Sequence, residues 1–158
     1  MRTAKRVMAG LALAWALAWP VAGASGAAAA VPLKDRQMVV FYVDPSINQI
    51  NAAHNYAPET FARAKAAGWP VTIKSAMAGG LILLSLQSVA VCNRVKGCPL
   101  LVFTNIFQPP VLTSMSFENV LIEYYHHSRS VVLRTEGPDR DCSIPPVGRS
   151  VCRVVPRQ

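Results

Sequence analysis

Apolar positions are densest between residues 79 and 105, which read GGLILLSLQSVAVCNRVKGCPLLVFTN. Two apolar runs, 81–91 and 100–103, flank a polar loop with Cys92 and Cys98 at its ends. No other stretch beyond residue 30 carries as much apolar side chain per residue, so the core is expected to centre here. Residues 99–105 read as a buried strand. Residues 81–91 fit two periods. Ile82, Leu86, Val89 and Ala90 match a helix; Ile82, Leu84 and Leu86 match a strand until Gln87 and Ser88 break the alternation. The length of the run and the two glycines ahead of it favour the helix.

The flanking pattern supplies further elements. Residues 37–44 (QMVVFYVD) are β-branched and aromatic, and their near-continuous apolarity predicts a central strand. Asp44 and Pro45 predict a helix start, after which Ile47, Ile50 and His54 share one face and Asn48, Asn51 and Asn55 another. Pro58 opens a second helix with Glu59 in its first turn and Phe61, Ala64 and Ala67 on its buried side; Gly68 ends it. Residues 71–74 alternate as a short strand, and 77–80 read as a flexible joint. Residues 117–125 and 130–135 predict a hairpin around His126, His127 and Ser128. From Glu136, prolines and glycines predict an irregular segment held by Cys142 and Cys152. This order predicts an α+β fold, one mixed β-sheet of about five strands packed by two or three helices.

The first thirty residues stand apart. Arg2, Lys5 and Arg6 precede an apolar stretch over 7–21, and Ala22, Gly23 and Ala24 follow it. This predicts a signal peptide over 1–24, with cleavage as late as 30, and a single secreted α+β domain over 31–158. The apolar run falls short of the roughly 18–20 residues of a membrane span. Asn93, Arg94 and Lys96 interrupt the longest later run, so no stable span is expected after cleavage. Export to the periplasm or beyond sets the cysteine chemistry: four Cys in a short secreted chain predict two disulfides. Three pairings are possible. Cys92–Cys98 and Cys142–Cys152 are favoured, because each brackets a short polar loop.

Charge narrows the partners. Sixteen Lys and Arg stand against eight acids; three of the basic residues lie in the leader, leaving thirteen against eight, a net +5. The basic residues are too dispersed for a dedicated nucleic-acid binder. Arg129, Arg134, Arg140, Arg149, Arg153 and Arg157 populate the C-terminal part, which has no Lys. Guanidinium groups suit protein interfaces, so Arg129, Arg149 and Arg153 are the expected partner-binding residues.

Catalytic signals are sparse. His54 with His126 or His127, and Lys74 or Arg129 as cation, would suit phosphodiester hydrolysis, which needs a base, an acid and a charge to steady the anion. Packing of His54 on its helix face is the plainer reading. His126 and His127 with Asp139 and Asp141 could ligate a metal, but no recognised ligand spacing is present, and a solvated turn accounts for both. The Asn stripe could meet sugar hydroxyls and reads more simply as a wet helix face. No Gly-x-Ser-x-Gly, His-Glu-x-x-His, phosphate loop or haem motif occurs. No metal and no cofactor are expected.

In element order, residues 37–135 resemble the thioredoxin-like fold. Its paired redox cysteines are absent: five residues lie between Cys92 and Cys98, which follow their element rather than open it. The resemblance implies no redox activity, and would fit a non-redox assembly factor of an envelope secretion or conjugation system. The leading expectation is an exported, non-catalytic binding protein of the bacterial envelope whose partner is another envelope or extracellular protein. A small secreted phosphodiesterase using the His pair is the alternative.

Overall fold

The computed structural model describes residues 35–125 and 128–157, with Tyr125 described for its backbone only. The run at 81–91 is a strand for most of its length: β3 (Leu81–Gln87) lies between β2 (Thr72–Ala78) and β4 (Cys98–Phe103), and β5 (Leu112–Ser116) completes a four-stranded sheet in the order β2-β3-β4-β5. The helix favoured from length is therefore wrong, for a physical reason. Both faces of this sheet are covered, so successive residues of β3 are buried alternately in two different cores. Leu81 and Leu83 join one cluster with Leu100 and Val102 of β4; Leu84 and Leu86 join another with Leu101 and Phe103. A strand buried on both faces loses its polar alternation and imitates a buried helix. Each such Leu or Phe contributes roughly 1.5–3 kcal/mol on burial.

Residues 79–80 are a tight turn and not a flexible joint. Ala78 pairs with Leu81, and both intervening glycines have positive φ, 59° at Gly79 and 67° at Gly80. That is the two-residue hairpin whose backbone twist suits antiparallel strands.

The second sheet has five strands. β1 (Asp35–Met38), β6 (Leu121–Tyr125), β7 (Ser128–Leu133), β8 (Asp139–Ile144) and β9 (Val151–Val155) lie in the order β1-β6-β7-β8-β9, all antiparallel. Its inner face supplies Ile122, Val131, Leu133, Cys142 and Ile144 to the core shared with Leu81, Leu83, Leu100 and Val102. The fold is thus a two-sheet β-sandwich, and the single mixed sheet is corrected. Prolines and glycines concealed β8 and β9 in the segment expected to be irregular, and β5 was not foreseen. Two all-antiparallel sheets also end the thioredoxin-like expectation, which rested on element order.

Residues 37–44 do not form a central strand. The chain leaves β1 at the edge of one sheet, where the Val39 N–H donates to the Val120 carbonyl at 2.9 Å. It reaches the edge of the other at Tyr42, which exchanges both main-chain bonds with Ser75 at 2.8 and 2.9 Å. Val39 and Phe41 point into the core, while Met38, Val40, Tyr42 and Val43 are exposed.

The outer face of the four-stranded sheet is covered by helices α1 (Ile47–Tyr56) and α2 (Pro58–Ala66). Ser46, not Asp44, caps α1. The Gln49 N–H donates to Ser46 Oγ at 3.4 Å, and the Ser46 N–H donates to Gln49 Oε1 at 2.7 Å, a reciprocal capping box. The buried face of α1 is Ala52 and Ala53, not Ile47 and His54. Two small residues let the helix axis lie close to the sheet, and the larger Ile50 and Tyr56 flank the contact. α2 starts at Pro58 as expected, buries Ala64, and is followed by Gly68 at φ +74°.

Candidate functional site

Whereas helices cover one sheet, the outer face of the other carries charged side chains. Period-two alternation on the five-stranded sheet places Glu123, Asp139 and Asp141 on the side away from the core, where carboxylates are expected to be wet. All three are nevertheless buried. Arginines lie over them. Arg36 Nε is 2.8 Å from Glu123 Oε1, and Arg134 Nη1 is 2.8 Å from Asp139 Oδ2. Arg153 donates from Nη2 at 2.8 Å and from Nε at 3.1 Å to Asp141 Oδ2. Arg157 Nε lies 3.7 Å from Asp139 Oδ1, while its Nη2 donates to the carbonyls of Gly137, at 3.0 Å, and Thr135.

Strand register builds this layer directly. Arg36 stands opposite Glu123, and Arg153 opposite Asp141. The apolar stems of the arginines cover the sheet while their heads neutralise the acids. A cavity of about 80 Å³ remains between them, lined by Leu121, Val132 and Val155 together with the charged groups.

The layer ends at β9, which pairs with β8 on one side and forms the edge of its sheet. β9 is held to β8 by the Cys142–Cys152 disulfide between directly opposed residues and by the Arg153–Asp141 pair. It is also largely open to solvent: Val151 is 73% and Val154 69% exposed, and the Arg153 side chain between them 71%.

The residues singled out from sequence fall into three groups. The cysteines form the two favoured disulfides, Cys92–Cys98 and Cys142–Cys152, and none is free. Of the arginines, Arg129 is half-buried and its Nη1 donates to the Gly79 carbonyl at 2.8 Å, tying one sheet to the hairpin turn of the other. Arg153 reaches the surface from its pair with Asp141, and Arg149 is exposed in the connection between β8 and β9. These two stand on the same hairpin; Arg129 does not.

The histidines are the third group. His54 is exposed rather than buried, although one face of its ring stacks on Phe61 with centroids 3.8 Å apart. His126 and His127 lie outside the described residues. Lys74 pairs with Glu118 at 2.7 Å, and Asn48, Asn51 and Asn55 are exposed. Among the described residues, no helix is long and apolar enough to cross a membrane, and no group of three or more His, Cys, Asp or Glu could hold a metal ion.

Sequence reasoning missed the ionic layer. Its signal was the period-two spacing of Asp139 and Asp141, which marks a strand with one acidic face but was masked by the neighbouring prolines. Comparison with protein families, with curated proteins and with solved structures gave no match.

Proposed function

We propose that this chain is an exported, non-catalytic binding protein of the bacterial envelope or its surroundings, contacting another protein through its Arg-bearing C-terminal strand. The observation that carries this reading is the pairing of exposure with rigidity in β9. Val151, Arg153 and Val154 face solvent on a strand pinned by a disulfide and a carboxylate–guanidinium pair. Pinning lowers the ordering cost of association, and arginine is among the residue types enriched where interfaces are anchored. The disulfides suit an oxidising compartment.

A photo-crosslinking residue placed at Val151 or Val154, and in a control at Ile47 on α1, tests it in cells that export the protein. The expected result is a discrete crosslinked species from positions 151 and 154 that is absent from position 47 and lost on adding Arg149→Glu. Folded, exported protein that gives no crosslink from either β9 position would refute the reading.

A further inference from the structure

We propose that β9 takes up an extended, acidic segment of a partner protein as a sixth strand of the five-stranded sheet. This rests on the reading that the C-terminal strand is the partner surface, and specifies how that surface works.

The backbone sets the geometry. The Cα atoms of Cys142 and Cys152 are 3.9 Å apart, the close spacing of an antiparallel pair that does not exchange main-chain bonds. By the register, the bonds across β8 and β9 therefore belong to Asp139 with Val155, Asp141 with Arg153 and Ser143 with Val151. Cys152 and Val154 consequently aim their N–H and C=O groups away from β8, toward the edge. Ser150, just before β9 and in the same phase, also turns its N–H away from β8: it donates to the carbonyl of Val111, the residue ahead of β5, at 3.1 Å. Beyond Ser150, no described residue pairs with this edge. Pro156, next in phase, has no N–H and ends the template. Two donors and two acceptors remain in line, which is what strand addition uses for affinity.

Side chains define the chemistry of the incoming strand. Val151 and Arg153 stand on one face and Val154 on the other, so an added strand covers a valine on each side. Arg149 just before β9, Arg153 within it and Arg157 just after it recur every four residues, and the acids that meet Arg153 and Arg157 are buried behind them. The layer sets four arginines, Arg36, Arg134, Arg153 and Arg157, against three carboxylates, Glu123, Asp139 and Asp141, and Arg149 is exposed beside it. A segment carrying carboxylates on the face of Arg153 therefore complements the excess positive charge. A second copy of this chain does not. The symmetric antiparallel register that uses both open residues places Cys152 opposite Val154 of the other copy, and hence Arg153 opposite Arg153. Like charges directly opposed on a sheet are destabilising.

Two synthetic decapeptides, alternating Val–Glu and alternating Val–Lys, test this against the isotope-labelled, unreduced mature chain by NMR. With Val–Glu, the amide signals of Cys152 and Val154 are expected to shift and to gain about tenfold protection from hydrogen exchange. Val–Lys at the same concentration, and a Val–Glu peptide N-methylated throughout, should do neither. Val154→Pro, which removes an outward N–H, should abolish the response, while Val154→Ala keeps it. Equal response to Val–Lys, retention with the N-methylated peptide, or no amide protection with Val–Glu would overturn the proposal. Shifts confined to the arginine side chains would do the same while leaving the partner-surface reading intact. Protected Cys152 and Val154 amides in the free protein, with a dimer mass in solution, would assign the edge to a second copy and also overturn it.

Discussion

The hydroxyl of Tyr124 occupies the space where a side chain on Gly79 would begin. Tyr124 belongs to β6 and Gly79 to the β2–β3 turn, so the contact joins the two sheets at one end of the sandwich. Arg129 reinforces it by donating to the Gly79 carbonyl. Gly79 meets three demands together: a positive φ of 59°, a close approach by an aromatic ring, and a carbonyl aimed at a guanidinium.

Gly79→Ala is therefore expected to cost more than a turn glycine alone would. Left-handed backbone costs an L-residue about 1–2 kcal/mol, and displacement of Tyr124 adds to this. Gly68→Ala is the control, because Gly68 has φ +74° and open space around its Cα. Urea denaturation of both variants should show the Gly79 variant losing about twice as much stability or more. Equal losses would mean that the Tyr124 contact contributes nothing.

Breaking the ionic layer should be costly in proportion to burial. Asp139 is 2% exposed, and its pair with Arg134 is the most enclosed on the sheet. Asp139→Asn leaves the largely enclosed Arg134 guanidinium without its counter-charge, a loss of about 3 kcal/mol, the low end for a buried pair. The more open pair of Lys74 and Glu118 offers the contrast, where Glu118→Gln should change stability by less than about 1 kcal/mol. Thermal midpoints of the two variants, measured together at one ionic strength, decide this.

These two regions also show where sequence carried the fold and where it failed. Both helices were legible, since Pro58 and the polar stripe of Asn48, Asn51 and Asn55 are local signals. So were β4, the β6–β7 pairing and the disulfides. β3 was not, because the same leucines serve two cores and periodicity cannot tell a strand buried on both faces from a buried helix. The true face of α1 was missed because alanine is a weak hydrophobic signal and a good helix-to-sheet spacer. The spacing of Asp139 and Asp141 marks an acidic strand face, but the arginines that meet such a face depend on register between strands far apart in sequence, Arg36 with Glu123 above all, which no local pattern reports.

The disulfides should contribute unequally. The sequence separations are 6 for Cys92–Cys98 and 10 for Cys142–Cys152, and the chain-entropy model gives about 2 and about 3 kcal/mol. Cys142 is also fully buried, so the Cys142→Ala, Cys152→Ala double variant loses packing as well. It should melt lower than the Cys92→Ala, Cys98→Ala variant. Thiol titration of the unreduced parent protein should find no free Cys; an accessible thiol would contradict both bridges.

Processing gives a further check. Export with cleavage after a small residue predicts a mature chain beginning between Ser25 and Val31. Intact-mass measurement on protein recovered from the periplasm or medium tests this, and retention of residues 1–24 would contradict it.

The binding and hydrolytic readings separate most cleanly at Arg149. Reversal at Arg153 is a poor test, because a glutamate there would face the buried Asp141 carboxylate and destabilise the sheet by itself. Arg149 is exposed in the β8–β9 connection. Arg149→Glu should therefore leave stability within about 0.5 kcal/mol while introducing repulsion toward an acidic partner. If the chain acts by binding, this variant loses crosslinking and host activity, and replacing His54, His126 and His127 with Ala together changes neither. If the chain hydrolyses phosphodiesters, the histidine variant alone loses activity, with circular dichroism unchanged, and Arg149→Glu only weakens it in a salt-dependent way. An inactive but folded histidine variant would end the binding hypothesis.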